Sequence, residues 1–213
     1  MSSGRGMVQQ AIRIALSHPF GIGGAEFRRG RQSGDVDTVY LGCFRREVFE
    51  KVGLFDETAS ILSEDTDINY RIRGAGGRVY LNSDIVAYYD SRDNFLDFWR
   101  VYVRYGGGKA GFMLKHGKLM AARQVALAAF VGSLAVLGLA SVFSWVSLVA
   151  LIVLLGAYVA GNLLISAASA IRATRPALLP GLFLAFACIH FGWGFGFLRR
   201  LVQRPRPGTY WRH

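Results

Sequence analysis

Residues 62–82 read LSEDTDINYRIRGAGGRVYLN, and three carboxylates, Glu64, Asp65 and Asp67, fall within four positions of it. The pattern predicts a helix over about 64–74. Ser63 stands at the capping position and GAGG closes the helix, with a short strand, RVYLN, behind it. Acid in a first helical turn has three readings. It interacts favourably with the helix dipole and the free N–H groups, and Asp67 and Arg71, four apart, would form a surface pair. A carboxylate fixed at a helix start can instead serve as a base that accepts the proton of an attacking hydroxyl. Asp65-Thr66-Asp67 is also formally D-x-D, a metal pattern. Against that reading, neighbours on a helix diverge by about 100°, and no histidine or further acid stands at ligand spacing.

The surroundings narrow the choice. The net charge is +11, yet all 14 Asp and Glu lie at or before Asp97, while from Phe98 onward there are 13 basic residues and no acid. The basic half is also the apolar half: Gln124 to Ile171 and Pro176 to Leu198 carry no charge. Such runs predict membrane-spanning helices near 121–141, 145–168 and 177–198, the first two turning at SVFSWVS. The basic excess then belongs to a membrane surface, where Lys and Arg mark the cytoplasmic face and meet anionic headgroups. A nucleic-acid partner is not expected, because the charges flank apolar spans and form no separate basic domain. Arg199, Arg200, Arg204, Arg206 and Arg212 favour the cytoplasmic side for the tail, whereas three full crossings place it outside. Full crossing is the expectation.

The polar half reads as mixed α/β. Met7, Ala11, Ile12, Ala15 and Leu16 share one side of a short helix, and HPFGIGG forms a loop. VDTVYLGC reads as a buried strand ending at Gly42. RREVFEKVG reads as a helix stopped by Gly53, and RVYLN and DIVAYY as short strands. NFLDFWRVYVRYG is amphipathic and expected on the membrane surface. Cys43 and Cys188 form no C-x-x-C and are expected to be ordinary buried thiols. His18, His116, His190 and His213 lie far apart and read as structural or interfacial. GWGFG at 192–196 lets helices pack closely or the chain bend.

Three features in order form a specific combination: a strand ending in glycine, then RREVFEKVGLFDE, then an E-D pair heading a helix that ends in AGG. Over about residues 7–118 the chain resembles the second half of the catalytic domain of family 2 glycosyltransferases. More narrowly, it resembles the membrane-anchored enzymes of succinoglycan-type exopolysaccharide synthesis. The resemblance implies a partial GT-A-like α/β domain over 1–118, with an interface helix near 93–105, followed by transmembrane α-helices over 119–213. It implies inverting transfer of a sugar from a nucleotide-sugar donor to a lipid-linked or exported saccharide. Asp65 would be the general base and Glu64 would position the acceptor. Arg104 and Tyr105 match the R-W or R-Y pair that contacts the donor diphosphate, with Lys109 nearby. The fuller motif carries Gln three places before the Arg, where this chain has Val101. Gly42 would leave room for sugar in the acceptor region. The implied location is the inner (cytoplasmic) membrane, multi-pass, with the head cytoplasmic.

In the family, Mg²⁺ or Mn²⁺ sits on a D-x-D in the nucleotide-binding half that precedes this region. That half is not found here. Asp35-Val36-Asp37 has the letters, but it abuts the TVYLG strand and reads as loop and strand start. The chain is therefore expected to be a C-terminal piece with little or no transferase activity alone, and a separately encoded N-terminal half is a candidate partner. The alternative class is a non-catalytic membrane remnant or subunit that binds a partner enzyme or anionic lipid.

Overall fold

The computed structural model describes residues 6–22, 33–39, 41–56, 64–86, 90–118 and 123–203. In chain order the elements are helices α1 (Met7–Ser17) and α2 (Pro19–Ile22), strand β1 (Gly34–Asp35), helices α3 (Arg46–Val52) and α4 (Glu64–Gly74), and strand β2 (Tyr80–Leu81). Helices α5 (Phe95–His116), α6 (Arg123–Ala140), α7 (Trp145–Arg172) and α8 (Leu179–Val202) follow, with a 3₁₀ turn at Pro176–Leu178.

Helix α8 is the centre of the larger core. Ala11, Ile12, Ala15 and Leu16 of α1, at helical spacing, meet Leu182, Ala185, Phe186 and Ile189 of α8, with Phe98 and Tyr102 of α5 closing the cluster. A smaller core joins Ile68 and Ile72 of α4 to Val79 and to Val48, Phe49 and Val52 of α3. Helix α3 stops at Gly53, whose φ of 78° is the left-handed conformation that glycine adopts without strain.

Helix α5 begins where the Asn94 side chain accepts the Asp97 N–H at 2.8 Å, and it ends at Gly117 with φ 62°. The expected interface helix stopped near 105. The observed one runs eleven residues further, straight through GGGK, because those glycines are contact surface. A Cβ on Gly106 would strike the Trp193 carbonyl of α8, and one on Gly196 would strike the Val103 carbonyl of α5. GWGFG therefore serves close packing: α8 continues through it as one helix.

Polar groups inside the helical part are bonded to one another. His190 Nε2 donates to the Phe20 carbonyl at 2.8 Å, while Nδ1 lies 3.1 Å from the Tyr158 hydroxyl. Asn162 donates to the Phe183 carbonyl at 3.2 Å and accepts from Ser166 at 3.1 Å. This places His190 in a structural role, as expected.

Three expectations need correction. The strand expected over VDTVYLGC is not formed among its described residues: β1 covers only Gly34–Asp35, antiparallel to Tyr80–Leu81, and Leu41 is exposed with φ 55°. Nor does DIVAYY form a strand in its described part, where Ile85 and Val86 are exposed. Strand patterning specifies a sheet only when neighbouring strands are present to pair with it. Among the described residues the whole sheet is this two-residue ladder, so the fold is mostly helical. Cys43 is exposed for the same reason, while Cys188 is half-buried and unlinked. The capping role of Ser63 lies outside the described residues.

Helices α7 and Pro176–Val202 are long and apolar enough to cross a membrane, whereas the apolar part of α6, Val125–Ala140, is shorter. Sixteen residues rise about 24 Å, against about 30 Å of hydrocarbon. Only 6% of the most apolar stretch of α7 is buried inside the protein, against 50% for α8. So α7 presents bare apolar surface, as a soluble core helix does not.

Candidate active site

The first turn of α4 carries Glu64, Asp65 and Asp67, and the second half of α5 lies across it. On α5, Lys109, Phe112 and His116 stand at i, i+3 and i+7 and form one stripe. On α4, Thr66, Asp67 and Tyr70 face that stripe. Lys109 Nζ donates to Thr66 Oγ1. The Tyr70 ring packs edge-on against Phe112 at 5.3 Å and tilted against His116 at 4.6 Å. His116 Nε2 lies 2.7 Å from Asp67 Oδ1.

Asp65 sits half-buried at the top of this seam. Burial pushes its carboxyl above the ordinary carboxylate range, the adjacent Glu64 charge adds to the rise, and Lys109 opposes it. Burial also pushes the Lys109 ammonium down to about 8, against the attraction of Asp65. Glu64 leaves Oε2 buried without a hydrogen-bond partner among the described residues. The result is a carboxylate whose basicity is raised, with an acceptor atom and a cation of lowered pKa beside it.

Asp67 plays a different part from the exposed surface pair expected. It is 2% exposed, and three side chains hold it: the Arg71 guanidinium at 2.9 Å, the Lys115 ammonium at 2.8 Å and the His116 ring at 2.7 Å. Lys115 also grips Asp56 at 2.6 Å, and Arg71 reaches the Val52, Gly53 and Leu54 carbonyls. Burial raises the Asp67 carboxyl, but the hydrogen bonds from Lys115 and His116 and the charges of Lys115 and Arg71 outweigh it and hold it below the usual range. Asp67 is thus the knot that ties α3, α4 and α5 together. The sequence places Lys115 with the basic excess at the membrane surface and His116 in a structural or interfacial role; the structure puts Lys115 on Asp67 and gives His116 the structural one. Their signal was the stripe they share with Lys109.

Asp67→Asn is expected to destabilise the protein by about 3 kcal/mol, since removing one member of a buried pair leaves the other charges unmatched. Because the folded carboxyl is depressed, its stabilisation is present above the unfolded pKa of about 3.9 and is lost as pH falls through and below it. Thermal melts in detergent at pH 7 and at acid pH check this. A deficit that fails to shrink on acidification rejects the knot.

The other sequence candidates are placed apart. Arg104 is exposed and lines a cavity with Arg92, Asp97, Trp99, Arg100, Phe195 and Arg199. On α5 it lies about 140° around the axis from Lys109. Tyr105 packs into the α1–α5–α8 core, edge-on to Tyr102 at 5.7 Å. Gly42 is overlain by the Phe44 ring, which a side chain there would strike. Asp35 and Asp37 are paired with Arg78 at 2.9 Å and Arg73 at 2.6 Å. Among the described residues no three His, Cys, Asp or Glu side chains converge on a point where a metal could sit. The described residues therefore offer no site for the divalent cation, which the resemblance places on the preceding half.

Comparison with known proteins gives the family. Residues 41–165 match the model of the glycosyl transferase family group 2, a region that contains α4, α5 and the Asp65 seam. The succinoglycan biosynthesis protein ExoA of Rhizobium meliloti is 28% identical over 198 residues, covering 93% of this chain and 58% of that protein. The dolichyl N-acetyl-alpha-D-glucosaminyl phosphate 3-beta-D-2,3-diacetamido-2,3-dideoxy-beta-D-glucuronosyltransferase of Methanococcus voltae is 24% identical over 111 residues, covering 52% of this chain and 34% of that enzyme. The chain thus spans less than two thirds of either curated relative. No solved structure matches significantly. The match runs over more than half of the chain, so the chain belongs to the glycosyl transferase family group 2.

Proposed function

We propose that this chain carries the acceptor-side half of an inverting glycosyltransferase that builds a lipid-linked or exported polysaccharide at the cytoplasmic membrane. The observation that carries the reading is the Asp65 seam: a carboxylate of raised basicity at a helix start, with Glu64 and Lys109 beside it. Asp65 takes the proton of the acceptor hydroxyl as its oxygen bonds to the anomeric carbon of the donor sugar. The bond from that carbon to the donor diphosphate breaks, and the diphosphate leaves with its negative charge. Lys109, while protonated, favours that departure electrostatically. Glu64 Oε2 accepts a hydrogen bond from the acceptor and fixes its orientation.

The two-strand ladder and the lack of a metal cluster among the described residues support a division of labour, in which the nucleotide is held by residues outside those described or by a second polypeptide. The chain alone then transfers little or nothing. The test incubates membranes bearing the chain with radiolabelled nucleotide sugars, with and without a co-expressed segment matching the remainder of the succinoglycan relative, and extracts the lipid. Label in lipid only when both are present supports the reading. No label with any donor in either preparation favours a non-catalytic subunit.

We further infer how the chain sits in the membrane. Both ends of α8 are held by head elements. Arg175, just before it, donates to Gln10 of α1 at 2.7 Å, and Ser91 bonds to α1 in turn. Near its other end, Arg199 shares a cavity with Arg92, Arg100 and Arg104. Helix α5 flanks the second half of α8 while exposing Asp97, Arg100 and Arg104, which hydrocarbon does not accept. This supports α8 lying on the head side of the bilayer. The α6–α7 hairpin enters it, with Phe143 at the tip 91% exposed. The basic tail then stays with the head, in agreement with its arginines. A cysteine placed at Gln203, with Cys43 and Cys188 replaced by Ser, should resist an impermeant thiol reagent on intact cells and react once they are permeabilised. Labelling of intact cells would mean that α8 crosses.

A further inference from the structure

The cavity between α5 and α8 is about 640 Å³ and is lined by Arg92, Arg100, Arg104 and Arg199, with Asp97, Trp99, Val101, Val103 and Phe195 completing the wall. The seam at Asp65 makes no use of it. Four guanidinium groups meet one carboxylate there. Hydrogen bonds from Asn94 and from Arg100, the latter at 3.0 Å, hold the Asp97 carboxyl low, with the charges of Arg100 and Arg92 helping, so it remains ionised and the lining keeps a net positive charge of three. The arginines come from two helices and from the segment before α5, so the charge converges on a concave space and is not spread along one exposed face. Guanidinium groups are planar forks matched to phosphate oxygens.

The other wall is aromatic and apolar. Trp99 and Phe195 stack at 6.4 Å with planes 29° apart, and Phe195 is 48% exposed. Its neighbours on α8 lead into the helical layer formed with α6, where Phe197, Ala128 and Leu198 pack together. A ligand matching this cavity has a phosphate end for the arginines and an apolar continuation for the aromatic wall. A free anion would make no use of the exposed surface of Phe195 beside the arginines. A neutral lipid would leave the net positive charge of the lining uncompensated.

We propose that this cavity binds the phosphate group of a membrane lipid, with Arg104 and Arg199 gripping it from opposite helices and the Trp99–Phe195 pair lying against its chain. The proposal rests on the membrane placement of α8 and not on sugar transfer.

The test uses the full chain purified in a neutral detergent and titrated with dihexanoyl phosphatidic acid, followed by calorimetry. Dihexanoyl phosphatidylcholine and inorganic pyrophosphate are run as comparisons. Phosphatidic acid should bind more tightly than either. Arg104→Gln together with Arg199→Gln should weaken that binding about a hundredfold, about tenfold for each charge-assisted grip lost. Arg172→Gln, a basic residue at the base of α7 that does not line the cavity, should leave it within twofold. Circular dichroism melts confirm folding, and Arg104→Lys gives a milder second variant, keeping the charge while losing the fork. Pyrophosphate binding as tightly as phosphatidic acid would assign the cavity to a free phosphate. Equal losses from Arg172→Gln would mean a diffuse surface charge, and an unchanged double variant would remove the site. Each of these results overturns the proposal. Its failure leaves the thiol-labelling and sugar-transfer results untouched, so the readings separate.

Discussion

Asp65→Asn is expected to cut sugar transfer about a thousandfold in membranes where the chain supports it, while nucleotide-sugar binding stays nearly unchanged. The amide keeps the shape and can still meet the acceptor, but it cannot take the proton, and a positioned base is typically worth ~10²–10⁴. A loss under tenfold would reject Asp65 as the base. The pH profile gives a second reading of the same site. Asp65 works deprotonated and its carboxyl is raised, so activity should fall on acidification at a pH above the ordinary carboxylate range. Lys109 works protonated and titrates at about 8, so activity should fall again above that pH. Lys109→Arg keeps the charge to beyond pH 12 and should carry the alkaline limb upward with it. A limb that stays near 8 in that variant belongs to some other group.

Gly196→Ala should be as damaging to the fold as Asp65→Asn is to the chemistry. One added methyl would lie well inside contact distance of the Val103 backbone, which is carbonyl oxygen and not a side chain that can swing away. The helices must part, and with them the whole α5–α8 seam. A loss of at least about 3 kcal/mol is expected, the upper end of ordinary overpacking. Gly156→Ala is the control: nothing lies within 4 Å of a Cβ built there. Thermal melts of the two variants in detergent should differ clearly. Equal midpoints would mean that α5 and α8 are not packed through these glycines.

Helices were legible in the sequence where their signals are local. The spacing of Ala11, Ile12, Ala15 and Leu16, the glycine stop at Gly53 and the acidic head of α4 each depend on residues within a turn or two. Strands were not. VDTVYLGC has the composition of a strand, but pairing is a property of neighbours, and the described neighbours amount to Tyr80–Leu81. The interface helix was expected only to about 105, just before GGGK; propensity counts glycine against a helix, and only the approach of α8, some ninety residues later, turns that cost into a fit. The acid cluster was legible as a site candidate. The division of roles inside it was not, since the burial of Asp67 depends on Lys115 and His116, which reach it from another helix. The resemblance assigned Arg104 to the donor diphosphate and Lys109 was added as its neighbour in sequence, whereas the turn of α5 sends the two to different faces.

The Asp67 knot also acts as a gauge of length. Lys109 must meet Thr66 while Lys115 and His116 meet Asp67, so the stretch between them on α5 is fixed at its present count. Removing one residue there would swing everything beyond it by about 100° and pull either the cation from the Asp65 seam or both partners from Asp67. The tip between α6 and α7 answers to no such gauge. Insertions and deletions in this chain should therefore be tolerated at residues 141–144 and lethal to the fold between 109 and 115, although both stretches lie among helices of similar regularity.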